Sequence, residues 1–530
     1  MKLLKPIIYL LIIGVLFYLL TKKTAPSLTD PIKMVETPGV YTSMPYDNFR
    51  QLLPKRFDYI KNKSSFLTPY DKDKLALIEN NIGKVTDEQM VAQLYMAPNA
   101  SVGLYRLESI PVGPEQVTSF QFEQGQLGWF WFYGTFIDSS GKTASYMYYV
   151  NRVDLYPPDL RKEMNLPMGS TTYYSISMGV GRGGEWEYAP YKFCRGEYTI
   201  KNDSVYSFKG IDLPNGWNIS FSTERKGEFK IAAGWKTNDS AKQQGLNMTV
   251  KAERLPFYNS ASNDGCSPCV GGSGTLYLSY TQMKSNGTIT LNDSTAGYAD
   301  GTSWLDRQWA NSQISTPYIA LLNNSMSMFK DRVEGLGKYI WLNLHLGKDL
   351  QYMVFNFFPL SEKVTKGTTF TSMQIRYGKD KPEFGLTAPA EVMETKILDG
   401  VEYPLKYKLQ TKDGTYILDA SKFDKSRCID ISNNIHWDGS GIIYDTTGKM
   451  VGTGFLEANQ FADPNSYVVN QLKSMGLDTT EQNKAFFKEE GKMPVSQGLP
   501  SLIITILFVV LFIFLVVLLF KSFKHIKASV

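Results

Sequence analysis

Chemistry in this chain would have to be built from few residues, and the segment Trp304-Leu-Asp306-Arg307-Gln-Trp309 is the richest of them. If that segment is extended, Trp304, Asp306 and Gln308 share one face. A carboxylic acid held in an apolar pocket keeps its proton, because desolvation raises its pKa. An aromatic face beside it stabilises positive charge that develops on an acceptor. Asp306 and Trp304 together could therefore act as a proton donor with a cation-stabilising wall. The plainer alternative is that Asp306 closes a strand and pairs with Arg307 or a backbone amide, in which case Arg307 would hold the carboxylate ionised.

A second group lies on Tyr339, Trp341, Asn343 and His345, which alternate with Ile340, Leu342, Leu344 and Leu346. One face of such a strand is aliphatic. The other is aromatic with a few polar groups, the make-up of a ligand-cavity lining or of a partly solvated wall. These four residues are the candidate ligand-binding set, and the ligand they suit is a hydrophobic small molecule. Metal and cofactor chemistry have little support. Only 3 histidines occur, one of them the near-terminal His525, and none has Glu-x-x-His or His-x-x-x-His spacing. Cys266-Ser-Pro-Cys269 has redox spacing, yet it lies in a Gly- and Asn-rich stretch without helical pattern, so a local structural disulfide, or pairing of each with Cys194 and Cys428, is expected instead of redox chemistry. Gly179-Val-Gly181-Arg-Gly183-Gly184 has no Lys-Ser/Thr after it and no Gly-x-Ser-x-Gly occurs, which argues against a phosphate-binding loop and a hydrolase elbow.

The elements that must carry these residues follow from periodicity. Residues 46–96 read as helical. Thr68-Pro69 places proline at a first helical position, and Thr86 with Gln89 has capping-box form. From about residue 102 the texture becomes short alternating runs such as GWFWFYGTFID, KYIWLNLHL and LQYMVFNFF, separated by Gly, Asn and Asp. That pattern predicts antiparallel sheet, as sandwich or barrel. Asp138–Gly141 and Thr446–Lys449 have the composition of hairpin turns. Beyond 465 the pattern turns helical again, and Asp478 could cap a short helix. At 530 residues more than one domain is expected. The net charge of +5 is dispersed, which argues against a nucleic-acid partner.

The two ends are different in kind. Pro6–Leu20 is an apolar run between lysine pairs, the length of a signal sequence and without a clean cleavage site, so an uncleaved signal anchor within 1–23 is expected, with a cleaved signal peptide as the alternative. Leu499–Phe520 is uncharged over a membrane-crossing length, and Lys521, Lys524 and Lys527 follow it. The positive-inside rule predicts two spans with both termini cytosolic and the bulk of the chain lumenal or extracellular, the bilayer being its partner. Two features suit that side of a membrane. Glycosylation sequons stand at Asn62, Asn99, Asn202, Asn218, Asn238, Asn247, Asn286, Asn292 and Asn323. The 4 cysteines, Cys194, Cys266, Cys269 and Cys428, all fall in the middle region and would permit two disulfides.

Three motifs in order carry a family resemblance. Gly301-Thr-Ser-Trp304-Leu-Asp306-Arg307-Gln-Trp309 resembles the Trp-x-Asp-His-x-Trp signature of carotenoid 1,2-hydratases and the related AttH-like lipocalin proteins. His436-Trp437 followed by Gly452-Thr-Gly454-Phe455-Leu456-Glu457 is similar to that family's closing strands, and Leu127–Gly134 with the hairpin after it is similar to its opening one. The resemblance spans about residues 120–460 and implies two successive lipocalin-like antiparallel β-domains, mainly β, with short helical flanks. It also implies Asp306 as the acid that would protonate an isoprenoid double bond before water captures the cation. Arg307 stands where the family has histidine, Ala310 where it has Gly or Ser, and Gly128 where it has an acid. Such changes leave the fold in place and put the hydratase chemistry in question.

The resulting layout is an anchor at 1–23, a linker and helical preamble at 24–100, a first β-domain at 101–296 and a second at 297–465. A helical stalk at 466–498, a membrane helix at 499–520 and a basic tail at 521–530 complete it. Three functions fit that layout: a non-enzymatic membrane glycoprotein of a cell surface or virus envelope, a carrier of a lipid or isoprenoid, and a hydratase.

Overall fold

A computed structural model describes residues 38–62, 69–97, 127–310, 336–459, 461, 469 and 472–480, apart from short stretches within the longer ranges. Both apolar end segments lie outside these residues. So do Asn99, Asn238 and Asn323 and the side chains of Cys266, Cys269 and Cys428. No helix among the described residues is long and apolar enough to cross a membrane.

Two closed antiparallel barrels make up the body. The first sheet contains β1 (Gly39–Thr42), β2 (Leu127–Ile137), β3 (Thr143–Asp154), β4 (Thr172–Arg182), β5 (Glu185–Asn202), β6 (Val205–Ile211) and β7 (Asn218–Arg225). It continues with β8 (Glu228–Lys236), β9 (Gln243–Ala252), β10 (Phe257–Tyr258), β11 (Cys266–Val270), β12 (Ser273–Leu291) and β13 (Ser294–Ala310). Ten of these strands form an up-and-down ring, which β13 closes on β2 and which β5 joins to β6. The second sheet contains β14 (Leu336–His345), β15 (Gln351–Pro359), β16 (Thr369–Tyr377), β17 (Pro382–Leu398) and β18 (Val401–Thr411). β19 (Gly414–Asp419), β20 (Arg427–Ile429), β21 (Ile435–Asp445) and β22 (Met450–Asn459) complete it. Eight of them close through β14–β22 and β19–β21. A meander closed on itself is the arrangement of lipocalin barrels, and it removes the sheet edges.

The division expected at 296/297 falls inside one hairpin. β12 and β13 turn at Asn292 and Asp293, both at positive φ, and pair from Leu291–Ser294 to Thr275–Ala310. The first barrel therefore runs on to Ala310, because its ring cannot close on β2 without β13. β1 lies within the segment expected to be linker and pairs with β5 of the first barrel.

Alternation builds both cores. Phe130, Phe132 and Phe136 of β2 point inward to meet Tyr146, Tyr148, Phe208, Phe221, Phe229 and Trp235 in the first lumen. Gly196 leaves space for two rings there, since a Cβ would lie 2.5 Å from Tyr174 and 2.6 Å from Phe208. Ile340, Leu342 and Leu344 of β14 fill the second lumen with Tyr352, Tyr403, Tyr407 and Trp437. Cys194 is fully buried in the first lumen as a free thiol, which corrects the expected disulfide at that position. Its apolar surroundings push its pKa up and keep it unreactive.

Four α-helices flank the first barrel: α1 (Tyr46–Asn62), α2 (Pro69–Asn81), α3 (Asp87–Met96) and the short α4 (Pro158–Glu163). α1 buries Phe49, Leu53, Phe57 and Ile60, a single helical face, against Tyr156 and Tyr173 of the barrel wall. α2 begins at Pro69, and α3 carries the capping box between Thr86 and Gln89. Of the expected stalk, residues 472–480 show one helical turn, at 472–474, then irregular chain. The helix that Asp478 was expected to cap lies outside the described residues.

Candidate site between the barrels

The outward faces of β2, β12 and β13 would be solvent-exposed on a lone barrel. Here the second barrel covers them. Trp131, Tyr133, Tyr277 and Trp304 of the first barrel meet Trp341, Met353, Tyr377 and Phe455 of the second in one aromatic seam. Trp304 contacts Trp341 at 6.1 Å, His345 at 5.8 Å and Tyr377 at 5.6 Å between ring centroids, each edge-on. Tyr133 stacks on Phe455 at 4.3 Å. Polar links cross the same boundary: Thr135 Oγ1 donates to Ser440 Oγ at 2.8 Å, and the Thr302 and Thr453 hydroxyls lie 2.8 Å apart. Arg254 Nη1 donates to the Gly378 carbonyl at 2.8 Å.

Asp306 sits in this seam and is buried. Trp304 Nε1 donates to its Oδ1 at 2.6 Å and Tyr277 Oη to its Oδ2 at 2.7 Å; Ser279 Oγ also donates to Oδ1. The shared face of Trp304 and Asp306 is as the alternation predicts. Arg307, next along the strand, points the other way. Its guanidinium lies 3.9 Å from the Phe130 ring centroid and Nη1 donates to the Trp129 carbonyl at 3.1 Å. The expected Asp306–Arg307 pair is thus absent, because neighbours on a strand face opposite sides. Burial raises Asp306 to about 7, while the hydrogen bonds from Ser279, Trp304 and Tyr277 pull the other way. Such an acid is balanced between donor and acceptor forms at neutral pH, the condition suited to general acid–base work.

The sequence reading missed the groups around this acid. Asn259 Nδ2 donates to Ser279 Oγ at 2.7 Å, and Tyr377 Oη of the second barrel donates to Asn259 Oδ1 at 2.6 Å. A relay of hydrogen bonds thus joins Asp306 to the other barrel. Tyr133 Oη is buried without a hydrogen-bond partner among the described residues. Burial first, then the charge of Asp306, pushes the Tyr133, Tyr277 and Tyr377 phenols well up, so they remain protonated. One signal was legible: Trp129–Tyr133 is an unbroken aromatic run, and a strand apolar on both faces is buried on both. Asn259 and Tyr377 sit in no pattern that sequence alone distinguishes.

The face of Tyr339, Trp341, Asn343 and His345 also belongs to the seam and not to a lumen. Asn343 Oδ1 accepts from the Phe455 amide at 2.7 Å, which orients its Nδ2 toward His345 Nε2 at 2.9 Å. His345 Nε2 is then an acceptor and the proton rests on Nδ1. Burial, aided by Arg254, lowers His345 to about 3, so it is neutral. Tyr339 lies at the margin, donating to Glu457 and accepting from Asn459 Nδ2 at 2.8 Å.

Other motifs resolve simply. Cys266 and Cys269 lie on the edge strand β11 paired to β12, not in a loop. Gly183 and Gly184, both at positive φ, form the β4–β5 turn, and Gly179 and Gly181 leave room for the Trp186 ring. Among the described residues no group of three His, Cys, Asp or Glu side chains is placed to hold a metal ion.

No family model matches the chain, and no curated protein is similar to it at a significant level. Among solved structures, it is similar to a protein described as an AttH from Nitrosomonas europaea, at 12% identity and a TM-score of 0.45, over 67% of this chain and 99% of that one. It is also similar to kievitone hydratase from Nectria haematococca, at 13% identity and a TM-score of 0.38, over 67% of this chain and 95% of that one.

Proposed function

We propose that this chain is a membrane-tethered, N-glycosylated ectodomain of two lipocalin-like barrels, serving as a surface or virus-envelope component. The observation that carries this reading over a carrier is that buried rings and aliphatic side chains of each barrel pack on one another inside its sheet. Any transported lipid would compete with that packing for the same volume. The sequons support the lumenal or extracellular side: Asn62, Asn202, Asn218, Asn247 and Asn286 are exposed, as an acceptor must be, and Asn292 is half-buried in its turn. The apolar ends supply the tether. Full-length protein made in eukaryotic cells should stay in the membrane pellet after alkaline extraction and shift in mobility on glycosidase treatment. Protease should spare tags at both ends. One lipid per chain, found by mass spectrometry of the solubilised protein, would turn the reading to a carrier. Unchanged mobility would remove the glycoprotein.

A second reading, addition of water to an isoprenoid double bond, is favoured by one observation: a buried acid near pKa 7 with an aromatic wall and no cation against it. The Asp306 proton would go to an alkene carbon, water would bond the resulting cation, and a proton of that water would return to the carboxylate. Product from a lycopene-type substrate, reduced ~10²–10⁴-fold in Asp306→Asn, is the expected outcome. Wild-type protein inactive on acyclic isoprenoids ends this reading.

A further inference from the structure

We propose that Asn218, Asn247 and Asn286 root one carbohydrate patch on the outer wall of the first barrel, and that the glycans at Asn247 and Asn286 shield each other. This rests on the glycoprotein reading above and deepens it.

The three sequons are separate in the chain and come together through strand pairing. Asn218 opens β7, Asn247 stands on β9 and Asn286 on β12. Ile219, Met248 and Ile289 of the same strands point into the lumen, so the three asparagines point out, and all are exposed. β8 joins β7 to β9, and β9 pairs with β12. Asn247-Met-Thr249 and Asn286-Gly-Thr288 run antiparallel in reciprocal register: Asn247 is opposite Thr288, and Asn286 is opposite Thr249. Their asparagines are therefore diagonal neighbours, ~7–8 Å apart. Asn218 lies two strands from Asn247, and its own Ser220 is level with Ala232 and Asn247.

The surroundings leave room for sugar. The outward positions of β8 between the Asn218 and Asn247 sequons are Ala232 and Gly234. A Cβ at Gly234 would lie 2.7 Å from Asn218 Nδ2, the atom that would carry the glycan. Lys230, beside Thr249, is paired with Glu224. Other sides of this barrel are occupied. The helical flank covers Val153, Tyr173 and Phe193 of β3, β4 and β5, and the second barrel covers Tyr133, Tyr277 and Trp304. The three sequons stand on a wall that neither covers among the described residues.

In glycosylation the asparagine Nδ2 bonds C1 of an oligosaccharide carried on a lipid pyrophosphate. The pyrophosphate leaves, and the amide gives up one proton. Addition reads the local Asn-x-Ser/Thr sequence, whereas later enzymes meet the folded wall. Two glycans rooted on diagonal neighbours obstruct each other's approach to an enzyme, and the glycan at Asn218 stands more open.

Native digestion, followed site by site with glycopeptide mass spectrometry, tests this. The full chain is made in cells that stop at oligomannose glycans, solubilised in detergent and treated with endoglycosidase H. All three sites should be occupied, and Asn218 should be cleared several-fold faster than Asn247 or Asn286. Asn286→Gln should speed release at Asn247 several-fold, and Asn247→Gln should do the same at Asn286. Equal rates at the three sites, or rates unchanged in both variants, overturn the shielding pair. Any of the three left bare while other sequons carry glycans overturns the patch and leaves the glycoprotein standing. No glycan anywhere overturns both.

Discussion

The lumens and the seam are built from the same kind of strand yet differ in what they enclose. The lumens hold mostly Phe, Tyr, Trp and aliphatic side chains, with Arg307 against Phe130 and a buried Tyr146–Ser303–Ser285 hydroxyl chain in the first. The seam is as aromatic, but it also encloses Asp306, His345, Asn343, Asn259 and Ser279. The lumen faces are buried by closure of each barrel alone. The seam faces are outward faces, where polar residues are ordinary, and they lose water only because a second barrel docks. Docking thus turns surface groups into desolvated ones, and the displaced acid and base of this molecule lie where docking happened.

Replacing one tryptophan in each region should break the comparison most visibly. Trp304→Ala and Trp235→Ala should each cost about 3–5 kcal/mol of stability. Calorimetry should nevertheless separate them: the seam variant splits the melt into two transitions as the barrels uncouple, while the lumen variant lowers that of its own barrel. A single shared transition in Trp304→Ala would mean that the seam does not couple the barrels.

Next in size is pH dependence, with opposite signs for the two displaced groups. Asp306 is raised to about 7, so its proton is bound in the folded state and lost from the unfolded chain between about pH 4 and 7. Its contribution is full below pH 4 and falls as pH rises, by on the order of 4 kcal/mol. His345, lowered to about 3, favours folding above its ordinary value of 6.5 and costs stability as pH falls toward 3. In the wild type the two slopes oppose. In Asp306→Asn the melting temperature should rise from pH 4 to 6.5, and in His345→Asn it should fall over the same range. Identical profiles in both variants would show that the seam is wetter than its packing implies.

Smaller effects sharpen the same contrast. Trp304 Nε1 donates to Asp306, whereas Trp235 Nε1 has no partner among the described residues. Trp304→Phe should therefore cost about 1–3 kcal/mol more than Trp235→Phe, from the lost donor to a buried carboxylate. Thr135→Val, which removes one hydroxyl bond across the seam, should cost about 0.5–1.5 kcal/mol in thermal melting. A change of that size in a double cycle with Ser440→Ala would assign it to the cross-barrel bond.

Period-two alternation and turn residues were enough to read antiparallel β structure from Leu127 onward, and cap chemistry was enough to read α2 and α3. The common face of Trp304 and Asp306 was legible for the same reason. Barrel closure was not, since pairing β2 with β13 joins residues as distant in the chain as Leu127 and Ala310 and leaves no local mark. The boundary at Ala310 was lost with it.

What the sequence by itself determined is therefore local and periodic: which residues share a strand face, where chains turn, where helices begin, and which end segments are apolar enough for a membrane. Tertiary structure alone decided which of two faces became core, which became seam, and what that did to Asp306. On the linear chain its neighbour is Arg307, which would hold it ionised. In the folded molecule Arg307 lies against Phe130 on the other side of the strand, and the surroundings of Asp306 are Trp304, Tyr277, Ser279 and an apposed barrel. A carboxyl group's protonation is set by its solvent and its partners in space, and those were chosen by docking.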